Sequence, residues 1–277
     1  LDHSMEKWEH NDLMKTFYPA TVLETWHDII FFWVIRMLLF WYEFTWTTPF
    51  KTIYLHGLVK DKIWRKMSKS LWNWVDPIDM IQKYWTDALR MTLSIWNTPW
   101  NDLKFDESNV EQNQLFINKL WNASRFVYTN LFEKWSYKID DYELIEQRII
   151  QNYENLMFHE KWILSKLRNV SDLVNTWIET YNFSETWIEL QNFTRNDFCD
   201  YYIEEFKITR EISQYWNDVI IYVINNILKL WHPYIPFVTE ELWNKIWIIW
   251  YLIFSSSSNV FIDFNKDIEK DKQIIIE

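Results

Sequence analysis

One nearly missing residue type constrains this chain more than any other feature: among 277 residues there is a single glycine, Gly57. Ordinary usage is about 7%, which would give roughly 19. Glycine supplies the left-handed backbone that tight turns and helix C-termini use, so a chain of this size with one glycine lacks the usual means of turning. The same chain carries 21 tryptophans. The glycine shortfall, about 18, nearly equals the tryptophan excess, about 17. The match predicts that most tryptophans occupy glycine positions. That would follow if a gene whose UGA codons mean glycine were translated with a table in which UGA means tryptophan. The alternative is a chain that is truly tryptophan-rich, and the placement of the tryptophans decides between them.

The remaining composition is that of a soluble globular protein with room for one large or two medium domains, 49% hydrophobic and 24% charged. A net charge of -11 excludes a uniformly basic nucleic-acid binder and leaves local basic patches open. A lone cysteine, Cys199, excludes a disulfide framework and a cysteine zinc site, and fits a reducing compartment. The six histidines are scattered, so no metal site is expected. The most apolar run, Ile29 to Tyr42, contains Arg36 and is too short to span a bilayer. No signal peptide precedes it, and the start at Leu1 reads as the middle of something longer, a fragment whose partner segment lies elsewhere.

Two regimes follow one another along the chain. Thr21 to Thr25, Asp28 to Phe44 and Lys51 to Val59 read as strand, helix and strand, the unit of a parallel sheet. Beyond about residue 108 strand signals fade. Amphipathic segments at Val110 to Phe132, Tyr142 to Tyr181, Asn196 to Ile208 and Ile212 to Leu230 predict a helical bundle. The expected domains are therefore 1–108, α/β, and 109–277, all-α. Ser255 to Ser258 reads as a loop, and the charged last 15 residues as poorly ordered.

Chemistry concentrates after the second strand. Lys60 to Lys69 reads KDKIWRKMSK, and Ser70-Leu71-Trp72-Asn73-Trp74-Val75-Asp76-Pro77 follows. A basic loop at the carboxyl edge of a parallel sheet sits where such sheets bind nucleotides. Its lysines can stabilise charge on phosphate oxygens. A merely solvated basic loop is the other reading.

Lys66-Met67-Ser68-Lys69-Ser70 is the KMSKS signature of class I aminoacyl-tRNA synthetases, and its surroundings carry the resemblance further. From Pro49 to Arg90 the chain resembles the valyl-tRNA synthetase family nearly throughout. Where that family writes KDxxGRKMSKSLGN the chain has Trp64 and Trp72, and where it writes KYGADALR the chain has Trp85. Thr25 to Trp33 likewise looks like TGxDIIFFW, with Trp26 in the glycine place. Asn118 to Phe126, Trp162 to Leu167, Asp197 to Glu204 and His232 to Phe237 are similar to blocks of the family's anticodon-binding bundle. The resemblance runs from about 12 to about 250. Trp33, Trp121, Trp162 and Trp243 stand where the family has tryptophan; Trp26, Trp41, Trp46, Trp64, Trp72, Trp85, Trp100 and Trp187 look like glycine positions.

The resemblance implies the second half of a class I Rossmann-type nucleotide fold with its KMSKS loop, then an anticodon-binding helical bundle. It implies a fragment of an enzyme that activates valine with ATP, with Mg2+ accompanying the nucleotide, and transfers it to tRNA(Val) in the cytoplasm, with no membrane. Lys66 and Lys69 would be catalytic. His56, Gly57, Lys66, Met67, Ser68, Lys69 and Ser70 would bind ATP. Asp28, Ile29 and Trp33 would belong to the valine pocket, Ile29 and Trp33 sharing a helix face at i, i+4. Read from the residues alone, Ile29 and Trp33 are plain core, Asp28 a helix N-terminal acid and His56 a packing residue. Lys119, Arg125, Lys166 and Arg168 are candidates for tRNA contact, with solvation the ordinary alternative. The HxGH half of the nucleotide fold and the editing domain are not within the chain, so the fragment alone is expected to be inactive. Alternatives are an isoleucyl- or leucyl-tRNA synthetase fragment, or a non-catalytic tRNA-binding module.

Overall fold

A computed structural model describes residues 12–95, 98–134 and 142–246. The expected loop at Ser255 to Ser258 and the charged C-terminal stretch lie outside the described residues. Packing groups the described residues up to Val75 with 98–106, and groups Asp76–Ile95 with those from Glu107 onward. This partition differs from 1–108 and 109–277 in giving the two helices after the basic loop to the helical unit.

In the first unit a short helix, α1 (Asp12–Phe17), precedes β1 (Ala20–Trp26). β1 pairs in parallel with β2 (Phe50–His56), Ala20 opposite Phe50 and Trp26 opposite His56. Parallel strands need a crossover, and the intervening residues supply it. The expected single helix from Asp28 to Phe44 is instead a 3-10 turn at His27–Ile29, a π turn at Ile30–Val34 and then α2 (Ile35–Thr45). The expected strand from Lys51 to Val59 is likewise divided at Gly57-Leu58, between β2 and β3 (Val59–Lys60). β3 pairs in parallel with β4 (Leu103–Lys104), so a later segment returns to the end of the first βαβ unit.

Among the described residues the regular elements of the second unit are all helices. It comprises α3 (Pro77–Tyr84), α4 (Thr86–Ile95), α5 (Glu107–Tyr128), α6 (Tyr142–Gln151) and α7 (Phe158–Glu179). α8 (Phe183–Asn192) runs through a π stretch, Phe193–Tyr202, into α9 (Ile203–Thr209), and α10 (Trp216–Trp231) and α11 (Pro236–Ile246) follow. The helix expected from Tyr142 to Tyr181 is two helices. The buried Glu160 carboxylate accepts the Met157 backbone N–H at 2.7 Å and the Ser213 hydroxyl at 2.6 Å, which starts α7 afresh.

α10 lies at the centre, buried on every face from Val219 to Leu228, as expected of a helix that is apolar all round. Its terminal tryptophans are both buried and both satisfied: the indole N–H of Trp216 donates to the Thr209 carbonyl at 3.0 Å, and that of Trp231 to the Thr194 hydroxyl at 2.8 Å. Arg148 holds Asp218 at the start of α10 through two bonds of 2.7 and 2.8 Å. Two blocks distant in sequence also meet here. Asp87 of α4 accepts the Val238 backbone N–H at 2.7 Å, capping α11, and Arg90 donates to the Pro233 carbonyl at 3.2 Å. Among the described residues no helix is long and apolar enough to cross a membrane.

Five of the eight tryptophans expected at glycine positions have positive φ: Trp46, Trp64, Trp72, Trp85 and Trp100. Trp26 is extended, with φ -73° and ψ 139°, while Trp41 and Trp187 lie within α2 and α8.

Candidate functional site

The carboxyl ends of β1, β2 and β3 place a set of polar side chains side by side. Parallel strands deliver consecutive loops to one edge, so His27 and Asp28 follow β1 while Gly57 and Leu58 follow β2. His27 Nδ1 lies 2.8 Å from Asp28, and its Nε2 lies 3.8 Å from Asp102. Asp102, just before β4, accepts the Leu58 backbone N–H at 2.7 Å and pairs with Lys60 at 2.5 Å. The Lys60 ammonium and the Leu58 N–H hold its carboxyl below the usual carboxylate range. His56 Nε2 lies 3.2 Å from Glu24 across the strand pair, and its Nδ1 lies 2.7 Å from the Gly57 carbonyl oxygen.

Gly57 sits where no side chain fits. A Cβ there would lie 1.8 Å from the Asn101 carbonyl oxygen and 2.6 Å from the Asp102 backbone nitrogen. The segment before β4 therefore lies directly on the backbone that links β2 to β3.

The basic loop is built around one buried carboxylate. Asp61, 9% exposed, accepts the backbone N–H groups of Ile63 and Arg65, at 3.1 and 2.8 Å. It also accepts the Arg65 guanidinium and the Asn73 amide, each at 2.9 Å. These bonds, the one from Asn73 foremost, hold its pKa down to about 2. Asn73 reaches back across the loop, accepting the Ser68 backbone N–H at 2.9 Å and donating to the Lys66 carbonyl at 3.2 Å. Ser68 caps a 3-10 turn, Lys69–Leu71, by accepting the Leu71 N–H, and its hydroxyl meets that of Ser70 at 3.1 Å. Lys66 and Lys69 are left exposed, with ammonium groups over the rings of Trp26 at 4.6 Å and Trp74 at 5.4 Å. Such an arrangement can bring two mobile cations to an anionic ligand without tying up either in an internal ion pair.

The structure thus brings His56 and Gly57 to one edge, next to Asp28, and presents Lys66, Met67, Ser68, Lys69 and Ser70 on a loop with a defined backbone. The spacing argument for Ile29 and Trp33 needs correction. Ile29 closes a 3-10 turn and Trp33 lies in a π turn, so the i, i+4 phase of one α-helix does not relate them. Trp33 is 59% exposed rather than part of a core. Sequence reasoning passed over His27, Asp102 and the role of Asp61. Asp61 could have been found, because a lone acid inside a run of five basic residues is a natural hub for their backbone. Asp102 carried no local signal, since its partners are over 40 residues away.

In the helical unit Lys119 pairs with Asp200 at 2.6 Å and Lys166 with Asp197 at 3.6 Å. Arg168 faces Asp172 at 3.6 Å, and Arg125 is exposed. Burial raises the pKa of the Asp197 carboxyl and pushes the Cys199 thiol up to about 12, so this cysteine is an unreactive packing group.

Residues 2–106 match the family of class I tRNA synthetases for isoleucine, leucine, methionine and valine, and residues 160–276 match the anticodon-binding domain of tRNA ligases. The valine–tRNA ligase of Pseudothermotoga lettingae is 41% identical over 240 residues, covering 86% of this chain and 26% of the relative. That of Listeria innocua is 44% identical over 237 residues, covering 84% of this chain and 26% of the relative. The chain therefore spans about a quarter of the length of these curated relatives. Among solved structures, a LeuRS–tRNA–LeuAMS ternary complex of Agrobacterium radiobacter K84 superposes with a TM-score of 0.65 at 17% identity, over 84% of this chain and 28% of that one. A Mycobacterium tuberculosis methionyl-tRNA synthetase bound by methionyl-adenylate gives 0.64 at 17%, over 84% and 45%. At such identities these two speak for the fold alone.

Proposed function

The chain belongs to the class I tRNA synthetases, alongside the valine–tRNA ligases, and from that premise we propose that it works as part of an enzyme that activates valine with ATP and transfers it to tRNA(Val). The observation that carries this reading is the loop from Asp61 to Asn73: its backbone is tied down at both ends while Lys66 and Lys69 point their ammonium groups outward.

Activation forms a bond between the valine carboxylate and the α-phosphorus of ATP and breaks the bond to pyrophosphate. Negative charge builds on the phosphate oxygens as it does so. Lys69, assisted by Lys66, supplies counter-charge without covalent chemistry. Their present stacking on Trp26 and Trp74 is weak enough to exchange for phosphate. Ser68 and Ser70 shape the turn that aims Lys69, and Met67 lies half-buried between the two lysines. His56 and Gly57 receive the adenosine at the strand edge. Asp28, Ile29 and Trp33 contribute to the valine side of the site. In this reading magnesium arrives on the nucleotide's phosphates, and no protein ligand set for it is proposed. The helical unit binds tRNA, with Lys119, Arg125, Lys166 and Arg168 as candidate contacts. The HxGH half of the nucleotide fold and an editing domain come from sequence beyond these residues, and the work is done in the cytoplasm. A pocket for a small apolar side chain rejects an added hydroxyl poorly, which is the physical case for editing.

The test is amino-acid-dependent ATP–pyrophosphate exchange by the complete ligase containing this chain. Valine is expected to drive exchange, and Lys69→Ala to cut it by a hundredfold or so, the scale of losing one preorganised charge-stabilising donor. Exchange driven by isoleucine or leucine instead would transfer the reading to those enzymes. Binding of tRNA with no exchange for any amino acid would leave a tRNA-binding module. Exchange by this chain alone would overturn the incomplete-site reading.

A further inference from the structure

We infer that the protein as its own cell makes it carries glycine in place of Trp46, Trp64, Trp72, Trp85 and Trp100, each read from a codon that the written sequence renders as tryptophan. The inference stands on backbone geometry and does not rest on the ligase reading.

The φ angles at these positions are 54°, 65°, 52°, 73° and 69°. Among the described residues one other non-glycine, Tyr181, has positive φ. A bulky aromatic is among the residues least suited to that region, which glycine enters freely. Trp85 is the extreme case. With ψ at 154° it occupies a region that is essentially glycine's alone.

Each of the five also performs a turn that glycine ordinarily makes. Trp46 follows the last residue of α2 and donates its backbone N–H to the Tyr42 carbonyl at 2.8 Å. Trp85 does the same after α3, donating to Ile81 at 2.9 Å. Both end a helix at positive φ, Trp46 as an αL terminator and Trp85 in the extended glycine region. Trp64 closes a turn onto the Asp61 carbonyl at 3.0 Å, Trp72 closes the 3-10 turn onto Lys69 at 3.3 Å, and Trp100 bonds the Leu55 carbonyl at 2.9 Å.

Burial offsets little of the strain; Trp46 meets Tyr42 edge-on at 6.0 Å and Trp100 stacks on His27 at 6.1 Å. The five side chains are between 50% and 94% exposed, so their indoles contribute little burial. Trp216 and Trp231 behave in the opposite way, buried to 2% or less, inside a helix, with both indole N–H groups bonded. These seven tryptophans therefore fall into two opposed groups, one exposed at positive φ and one buried with a bonded indole. Gly57 fits the same account. Its φ is not positive, but a Cβ there collides with the Asn101 backbone, so glycine is needed there for a steric reason.

The test reads codons and stability together. In the coding DNA the five positions are expected to be UGA, and Trp216 and Trp231 to be UGG. UGG at the five, or UGA at both groups, would overturn the inference. Peptides from the native protein are expected to show glycine masses at positions 64 and 72, and tryptophan masses there would overturn it independently. As a physical check, a chain with all five Trp→Gly substitutions should melt several degrees above the chain as written. An unchanged or lower midpoint counts against it, and the codon result decides if neither version folds.

Discussion

Asn73 closes the KMSKS loop by placing its amide nitrogen 2.9 Å from the buried carboxylate of Asp61, twelve residues earlier in the chain. Both ends of that amide are used, because its oxygen holds the Ser68 backbone. Removing it frees the loop ends and the Lys66 carbonyl it bonds, and leaves both lysine ammonium groups in place. If the complete protein activates valine as proposed, Asn73→Ala should lower kcat for pyrophosphate exchange by about tenfold with little change in KM for valine, since lost positioning is felt at the transition state. Steady-state kinetics check this. A loss confined to KM would mean that the clamp affects binding alone.

The same pair sets an acid dependence. The Asp61 pKa is about 2 against an ordinary 3.8, with the Asn73 bond as its chief cause. A depressed carboxylate stabilises the fold above its unfolded pKa and loses that contribution as pH falls through the folded value. The clamp should therefore contribute fully above about pH 4 and nothing below about pH 2. Melting the parent chain and Asn73→Ala between pH 7 and 2 should show curves that differ at neutral pH and converge in acid.

At Gly57 the constraint is space rather than φ. Gly57→Ala would push a Cβ to 1.8 Å from the Asn101 carbonyl oxygen, a backbone atom that cannot swing aside. The expected cost is about 1–3 kcal/mol, the range for overpacking, with more if β3 and β4 part. Urea unfolding measures it. A neutral substitution would mean that the segment before β4 moves freely.

How much could be read beforehand followed from how local each determinant is. The β1–β2 pairing, the loop lysines and the bundle helices were legible because alternation, a contiguous motif and helical periodicity are properties of short windows. The left-handed turns at Trp46, Trp64, Trp72, Trp85 and Trp100 were legible only through the shortage of glycine, as a compositional shadow. The 3-10 and π turns at His27–Ile29 and Ile30–Val34 were not, because an apolar run reads as α-helix whatever its pitch. Asp102 and Asp87 were invisible for another reason. Their partners, Leu58 and Val238, lie 44 and 151 residues away, and no window connects them.

Asp87 joins α4 to α11 by capping it. Its carboxylate takes the Val238 N–H at 2.7 Å, and burial pushes its pKa upward more than those bonds lower it. A carboxyl raised in the fold is most favourable when protonated, so its contribution declines as pH rises through the folded value. Asp87→Asn removes the charge but keeps an oxygen on Val238 and should be close to neutral. Asp87→Ala leaves the helix end bare and should cost about 1–2 kcal/mol, the usual worth of a cap. Denaturant melts of the two variants distinguish a cap from a simple packing residue, which would lose stability in both.

Lys119 supplies the last prediction, because its present partner competes with its proposed one. Its ammonium lies 2.6 Å from Asp200, whose side chain is 57% exposed. Exposed pairs of this kind are worth about 0–1 kcal/mol, so a phosphate can displace the carboxylate at small cost. If Lys119 meets the tRNA backbone, Lys119→Ala should weaken tRNA binding several-fold and reduce the slope of log K against log salt by about one. Asp200→Asn should strengthen binding, having removed both the competing partner and a repelling charge. Titrations of tRNA at several salt concentrations test the pair together. An unchanged slope in Lys119→Ala would leave the lysine as a solvating partner of Asp200, with the tRNA face elsewhere on the bundle.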